Sequence, residues 1–266
     1  MQKSETRKIL IRMSVAYAVL FACIAGVIVY LALKPDVVEE VIEEVEYLGE
    51  EMNWPEDDMM AGKEYSVQFD GIDISRYQGR IHWDELKSVN PQLQFVYVRV
   101  FGRDMNMDEM YHINIKHARD HQIPVGTYMF FTMSLSAKEQ FRVFHETVNK
   151  EKQDLIPVID VEDQSINGDA THIKDSVMLI ARLIEQEYGV KPMIYSNQNH
   201  YKKYLAPEFD SYPLWIANYS REPRVGDARP VLWQYSETGH VHGVWTYVDL
   251  DKFVNGATLE RIKIKK

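Results

Sequence analysis

The chain has 266 residues, 45% of them hydrophobic and 26% charged, with a single Cys and a formal net charge of −10. Such a composition excludes wholesale disorder and collagen- or mucin-like chains, and one Cys excludes both an internal disulfide framework and a Cys-rich zinc site. The acidic balance argues against nucleic acid as a partner, but the acidity is concentrated in one short segment.

Residues 1–12 carry Lys3, Arg7, Lys8 and Arg12 against Glu5 alone, and Met13 to Leu33 then runs 21 residues without a charge. A helix needs about 20 apolar residues to cross a bilayer. Basic residues stay on the cytoplasmic side, so the spacing predicts a single-pass anchor with everything after Lys34 outside. A cleaved signal peptide has a shorter apolar stretch and a small-residue cleavage site. Leu20-Phe21-Ala22-Cys23 is superficially like a lipoprotein signal, but Phe21 is bulky and the run stays apolar to Leu33.

Residues 36–58 hold eleven acidic side chains and no Lys or Arg. Val37, Val41, Val45 and Leu48 fall on one helical face, so the segment reads either as a helical stalk or as a solvated acidic spacer. The expected organisation is a short cytoplasmic N-terminus (1–12), a membrane anchor in contact with the lipid bilayer (13–33), an acidic stalk or linker (34–62) and one folded domain (63–266).

Eight strand-like runs follow: Phe69–Ile74, Phe95–Val100, Val125–Phe131, Ile156–Val161, Met193–Tyr195, Leu214–Ala217, Val231–Tyr235 and Val244–Leu250. Helical stretches lie between the early ones at Trp83–Ser88, Asp108–Gln122, Ser136–Lys150 and Thr171–Tyr188, with a shorter one at Asn199–Leu205. Ser136 with Glu139 three residues on is a capping-box pattern. Alternation of strand and helix predicts parallel pairing, and eight strands predict an irregular α/β barrel of the (β/α)8, TIM-like type. The other arrangement is an open doubly wound sheet, against which counts the lack of a Gly-rich nucleotide loop after any strand.

In a parallel barrel the chemistry sits at the C-terminal strand ends. Those ends hold Asp73, Tyr128, Phe130, Asp160, Glu162, Tyr195, Trp215, Gln234, Asp249 and Asp251. Asp160 and Glu162 stand at i and i+2, so both point to one face of their strand. Two close carboxylates cannot both ionise freely, so one of them is expected to keep a raised pKa. A proton donor beside an anion is what glycosidic cleavage needs; the bland alternative is an Asp capping the next loop. Asp249 and Asp251 repeat the spacing, with Asp249 expected to face inward. Aromatic side chains at the rim suit the apolar faces of sugar rings. His117 and His121 have a metal-pair spacing on a helix, but Ala118 stands where a zinc-protease motif needs Glu, so surface histidines are the better reading.

Phe69-Asp70-Gly71-Ile72-Asp73-Ile74-Ser75-Arg76-Tyr77-Gln78-Gly79, with Ile81 and Trp83, resembles the opening motif of family 25 glycoside hydrolases, the lysozyme or N-acetylmuramidase family. Val125-Gly126-Thr127-Tyr128, Pro157-Val158-Ile159-Asp160-Val161-Glu162, Ile194-Tyr195-Ser196, Leu214-Trp215-Ile216-Ala217, Trp233-Gln234-Tyr235 and Val248-Asp249-Leu250-Asp251-Lys252-Phe253 resemble its later blocks in order, covering about 69–254. The resemblance implies cleavage of the β-1,4 bond after N-acetylmuramic acid in peptidoglycan, at a bacterial membrane and on its extracytoplasmic side. It implies Glu162 as general acid/base, Asp160 steadying the substrate's 2-acetamido group in a neighbouring-group mechanism, and Asp73 and Asp249 completing the acidic cluster. Tyr128, Tyr195, Trp215, Gln234 and Arg99 are the expected substrate-binding residues, and no metal or organic cofactor is implied. Two positions depart from the family pattern. Arg99-Val100-Phe101-Gly102 replaces a Lys-Ala-Thr-Glu-Gly-like run, and Met129 rather than His follows Tyr128. The rival reading is a non-catalytic peptidoglycan-binding module on the same fold.

Overall fold

The computed structural model describes residues 62–162 and 170–265. The expected anchor at 13–33 and nearly all of the stalk lie outside them, and no helix among the described residues is long and apolar enough to cross a membrane.

All eight expected strands form, as β1 (Gly71–Ile74), β2 (Phe95–Phe101), β3 (Val125–Phe130), β4 (Val158–Asp160), β5 (Met193–Asn197), β6 (Leu214–Ala217), β7 (Leu232–Gly239) and β8 (Val248–Phe253). They close into a barrel in sequence order. The helices are α1 (Trp83–Val89), α2 (Tyr111–Asp120), α3 (Ala137–Thr147), α4 (Ala170–Tyr188), α5 (Gln198–Tyr204) and a short α6 (Leu259–Ile262). Ser136 caps α3 by accepting from the Glu139 N–H, and α4 turns Ile173, Val177, Ile180, Ala181 and Ile184 to the barrel before stopping at Gly189.

Uniform parallel pairing does not hold. β1 to β7 pair in parallel, but β8 is antiparallel to both β7 and β1. The reason is length. A parallel return needs a crossover of about a dozen residues or more, and only residues 240–247 separate β7 from β8. The link between β6 and β7 spans 218–231 and makes the parallel crossing without a helix.

The barrel interior is filled largely by rings. Phe95 meets Tyr97 edge-on at 5.8 Å between centroids, Tyr97 lies 5.3 Å from Trp215, and Trp215 meets Tyr195 at 4.9 Å. Each such pair adds about 0.5–1.5 kcal/mol beyond the area it buries. Two glycines make room for the rings. A Cβ on Gly71 would sit 2.2 Å from the Phe95 ring, and one on Gly126 would sit 2.5 Å from Tyr97. The C-terminal segment closes the far end through Ile156 N–H to Ile262 O at 2.8 Å and Ile264 N–H to Asp154 O at 2.9 Å.

Candidate active site

The strand ends open into a cleft of about 900 Å³. Asp73, third residue of β1, is paired directly with Asp249 of β8. Opposed residues in antiparallel strands hold their Cβ atoms about 5 Å apart, which sets these two carboxyls side by side. Asp249 reaches the rim from near the start of its strand because β8 runs the other way. Asp251, two residues on, faces the same side but deeper, and its Oδ1 accepts from Trp215 Nε1 at 2.7 Å. Asp160 ends β4, paired with Phe130 and Tyr195, and Glu162 follows just beyond the strand. Asp73, Asp160, Glu162 and Asp249 all line the cleft, together with Tyr128, Tyr195, Trp215, Gln234 and Arg99.

Gln234 works as a hub. Its Nε2 donates to Asp73 Oδ2 at 2.9 Å, while its Oε1 accepts from Tyr195 OH at 2.8 Å and Tyr219 OH at 2.9 Å. Trp215, 1% exposed, is floor rather than wall. Arg99 grips Asp108 through Nε at 2.9 Å and a terminal nitrogen at 2.7 Å. Asp108 also accepts from the backbone N–H groups of Arg76 and Met110, each at 3.0 Å. The expected helix start at Asp108 is thus displaced to Tyr111: the Asp108 carboxylate is spent fastening the loop after β1 to the loop after β2.

Burial raises the pKa of every acid in the group. Asp73 is pushed well up by burial, then by the charges of Asp249 and Asp251, with the Gln234 hydrogen bond pulling it back. Asp251 is likewise raised by burial and by Asp249, and lowered by its bonds to Trp215 and Asp73. Asp249 rises to about 7, through burial and then Glu237, against a hydrogen bond with Asp73. Glu162 is raised by burial and drawn back by Arg103. Asp160 is raised well up by burial and then by the charge of Glu162, with Arg99 opposing. Asp160 is buried and Glu162 half-buried. Tyr128 and Tyr195 are also pushed well above their ordinary range, mainly by burial, so they remain neutral donors.

Several cleft residues escape the strand-end rule. Tyr77 stands on a short 3-10 turn (Arg76–Gln78), Arg103 and Asn106 on the loop after β2, Tyr219 follows β6, and Glu237 lies in the irregular outer part of β7, beyond the expected end at Tyr235. Tyr77 does lie inside the opening motif, which could have flagged it. His117 and His121 lie near the Trp83 ring, centroids 6.3 and 6.2 Å away, and His121 also contacts Asp84.

A closed barrel with paired carboxyl groups in an aromatic-lined cleft is the architecture of a glycoside-cleaving enzyme, able to place a proton donor and an anion about one sugar linkage. Comparison with known proteins narrows the class. Residues 72–244 match the profile of glycosyl hydrolases family 25. The chain is 32% identical to the uncharacterised Escherichia coli protein YegX over 199 residues, covering 73% of this chain and 72% of that one. It is 27% identical to the autolytic lysozyme of Clostridium acetobutylicum over 186 residues, covering 70% and 56%. The structure of a family 25 glycosyl hydrolase from Bacillus anthracis superposes with a TM-score of 0.65 at 26% identity, covering 78% of this chain and 97% of that one. The chain belongs to glycosyl hydrolase family 25 and is a glycoside hydrolase of the lysozyme type.

Proposed function

We propose that the chain is a membrane-anchored muramidase, cleaving the β-1,4 bond between N-acetylmuramic acid and N-acetylglucosamine in peptidoglycan on the extracytoplasmic side of a bacterial membrane. The observation that carries this reading is the convergence of Asp73, Asp160, Glu162 and Asp249 in one cleft of a family 25 barrel. In this reading Glu162, the less enclosed of its pair, is the general acid/base, and Asp160 faces the substrate's 2-acetamido group. An acetamido N–H donating to Asp160 favours its charged form. Glu162, whose protonated form burial favours, delivers its proton to the leaving oxygen as the glycosidic bond breaks and the acetamido oxygen closes on the anomeric carbon. Asp73 and Asp249 complete the acidic cluster of the floor, and Gln234 orients Asp73. The apolar run at 13–33, preceded by its basic cluster, supports the anchor.

The full chain in detergent, incubated with purified peptidoglycan, is expected to release strands ending in reducing N-acetylmuramic acid. Glu162→Gln keeps the shape but removes the transferable proton, so turnover should fall at least about 100-fold with thermal unfolding unchanged. Ends in N-acetylglucosamine would reassign the bond cleaved, and release of nothing would leave a binding module.

A further inference from the structure

Two phenols share one acceptor in the cleft. Tyr195 lies on β5, Gln234 on β7 and Tyr219 two residues past the end of β6, so three successive strands bring them together. Tyr195 OH donates to Gln234 Oε1 at 2.8 Å, and Tyr219 OH donates to the same oxygen at 2.9 Å. A carbonyl oxygen has two lone pairs, so both bonds fit, but each phenol has one proton to give. One donor is enough to pair the buried amide oxygen, and Gln234 has two. Its other end, Nε2, holds Asp73 Oδ2 at 2.9 Å. Tyr195 is 7% exposed and stands beside Asp160 in the sheet register. Burial raises the Glu162 pKa most. Arg103 and the Tyr195 hydroxyl, which the carboxyl can reach, both favour its ionised form, and Glu237 opposes them. Asp160 and Asp249 also face Glu162. Besides Glu162, the groups facing Tyr195 are Asp160, Tyr219 and Asp73.

Resting on the assignment of Glu162 as general acid/base, we propose that Tyr195 is a positioning residue whose hydroxyl turns from Gln234 to the Glu162 carboxylate when Glu162 gives up its proton, while Tyr219 keeps Gln234 paired. With Glu162 protonated, the Tyr195 proton lies on Gln234 and the phenol oxygen accepts from the Glu162 carboxyl. Glu162 then passes its proton to the leaving glycosidic oxygen, which leaves a new negative charge among other acids. Rotation about the Tyr195 C–O bond brings the phenol proton to that carboxylate, and no bond within Tyr195 breaks. The phenol stays neutral throughout, because burial first, and then the charges of Glu162 and Asp160, hold its pKa well above the ordinary range. Were Tyr195 the single donor to Gln234, the turn would orphan a buried oxygen and oppose itself. Tyr219 removes that penalty, so the Gln234 bond to Asp73 stays in place. When Glu162 recovers a proton from the attacking water, the hydroxyl turns back.

The test follows the alkaline limb of the kcat/KM profile of the full chain on purified peptidoglycan, where loss of the Glu162 proton in the free enzyme is read. Tyr195→Phe keeps the ring but removes the donor to the carboxylate. The limb should move up by about 1 pH unit, and kcat should fall roughly 10–100-fold. Tyr219→Phe leaves Tyr195 as the single donor to Gln234 and ties its proton there. The limb should again move up, by less, and this displacement should vanish when Tyr219→Phe is combined with Tyr195→Phe. If Tyr195 served only to hold Gln234, the two phenols would be equivalent and the two single changes would act alike. Should Tyr195→Phe fail to fold, replacing Tyr195 by 3-fluorotyrosine keeps the shape and strengthens the donor, and the limb should move down. A limb left unmoved or lowered by Tyr195→Phe, or left unmoved or raised by the fluorinated ring, overturns the proposal. So does a Tyr219→Phe displacement that is absent, that equals the one from Tyr195→Phe, or that persists alongside it. Near-wild-type turnover of Glu162→Gln would instead overturn the assignment of Glu162, and absence of reducing muramic acid ends with wild type would overturn the muramidase reading.

Discussion

Replacing Asp249 by Asn should make the protein more stable at pH 8 while disabling it. Asp249 holds its proton to about 7, against an ordinary value of 3.8, because it is enclosed and lies near the charges of Glu237 and Glu162, with a hydrogen bond to Asp73 pulling the other way. The unfolded chain gives up that proton near 3.8. Between the two values the unfolded state binds fewer protons than the folded one, so stability falls as pH rises through this window, and below 3.8 the penalty vanishes. At about 1.4 kcal/mol per tenfold change in proton affinity, ionising Asp249 in the folded protein costs on the order of 4 kcal/mol. Its charge also raises Asp73 and Asp251, and relaxation of these coupled neighbours makes that figure a ceiling. We expect Asp249→Asn to gain at least about 2 kcal/mol at pH 8, a rise of roughly 4–8 °C in Tm for a domain of this size. At pH 4 the variant should gain nothing and lose up to about 1 kcal/mol with the Asp73 hydrogen bond. Thermal melts of both proteins at pH 4, 6 and 8, with activity followed in parallel, read this directly. A variant destabilised at pH 8 as much as at pH 4 would refute the reasoning.

Other substitutions probe the frame around the acids. Gln234→Leu removes the donor to Asp73 and the acceptor for buried Tyr195; it should cost about 2–4 kcal/mol in urea unfolding and raise the Asp73 pKa further, seen as a displaced pH–rate profile. Gly71→Ala drives a methyl into the Phe95 ring, which is fully buried and has nowhere to retreat; a lowered urea midpoint worth at least about 1–3 kcal/mol is expected, and an unchanged midpoint would contradict the packing described. For the proposed anchor, protease added to intact spheroplasts should remove the domain beginning near residue 62, and a protected domain would place it inside.

Strand existence was legible because each strand is a short run rich in β-branched and aromatic residues, bounded by loops or by helices with their own period. Strand direction at β8 was not, since no residue in Val248–Phe253 encodes it; the length of the preceding loop does, and only once the end of β7 is known. Asp73, Asp160 and Glu162 stand at or just past their strand ends, as expected, whereas Asp249 reaches the cleft from near the start of the antiparallel β8. Arg103 and Glu237 could not be found from strand ends, because loop conformation and an irregular strand extension bring them to the cleft. The helix expected from Asp108 starts at Tyr111, because the Asp108 carboxylate is taken up by Arg99 and by the backbone N–H groups of Arg76 and Met110.

The inverted last strand has a consequence for how the chain acquires activity. Asp73 and Asp249 are neighbours in space but 176 positions apart in sequence, and β1 finds its second partner only when β8 closes the ring. Such distant closure is slow and follows local structure. A chain interrupted before β8 contains the residues of α1 to α5 and of the seven parallel strands, yet it lacks one acid of the cleft and the deep Asp251 that secures Trp215. On the proposed role of Asp249, catalytic competence and completion of the barrel are expected to arrive in a single event, so that a partly folded chain is not a partly active one.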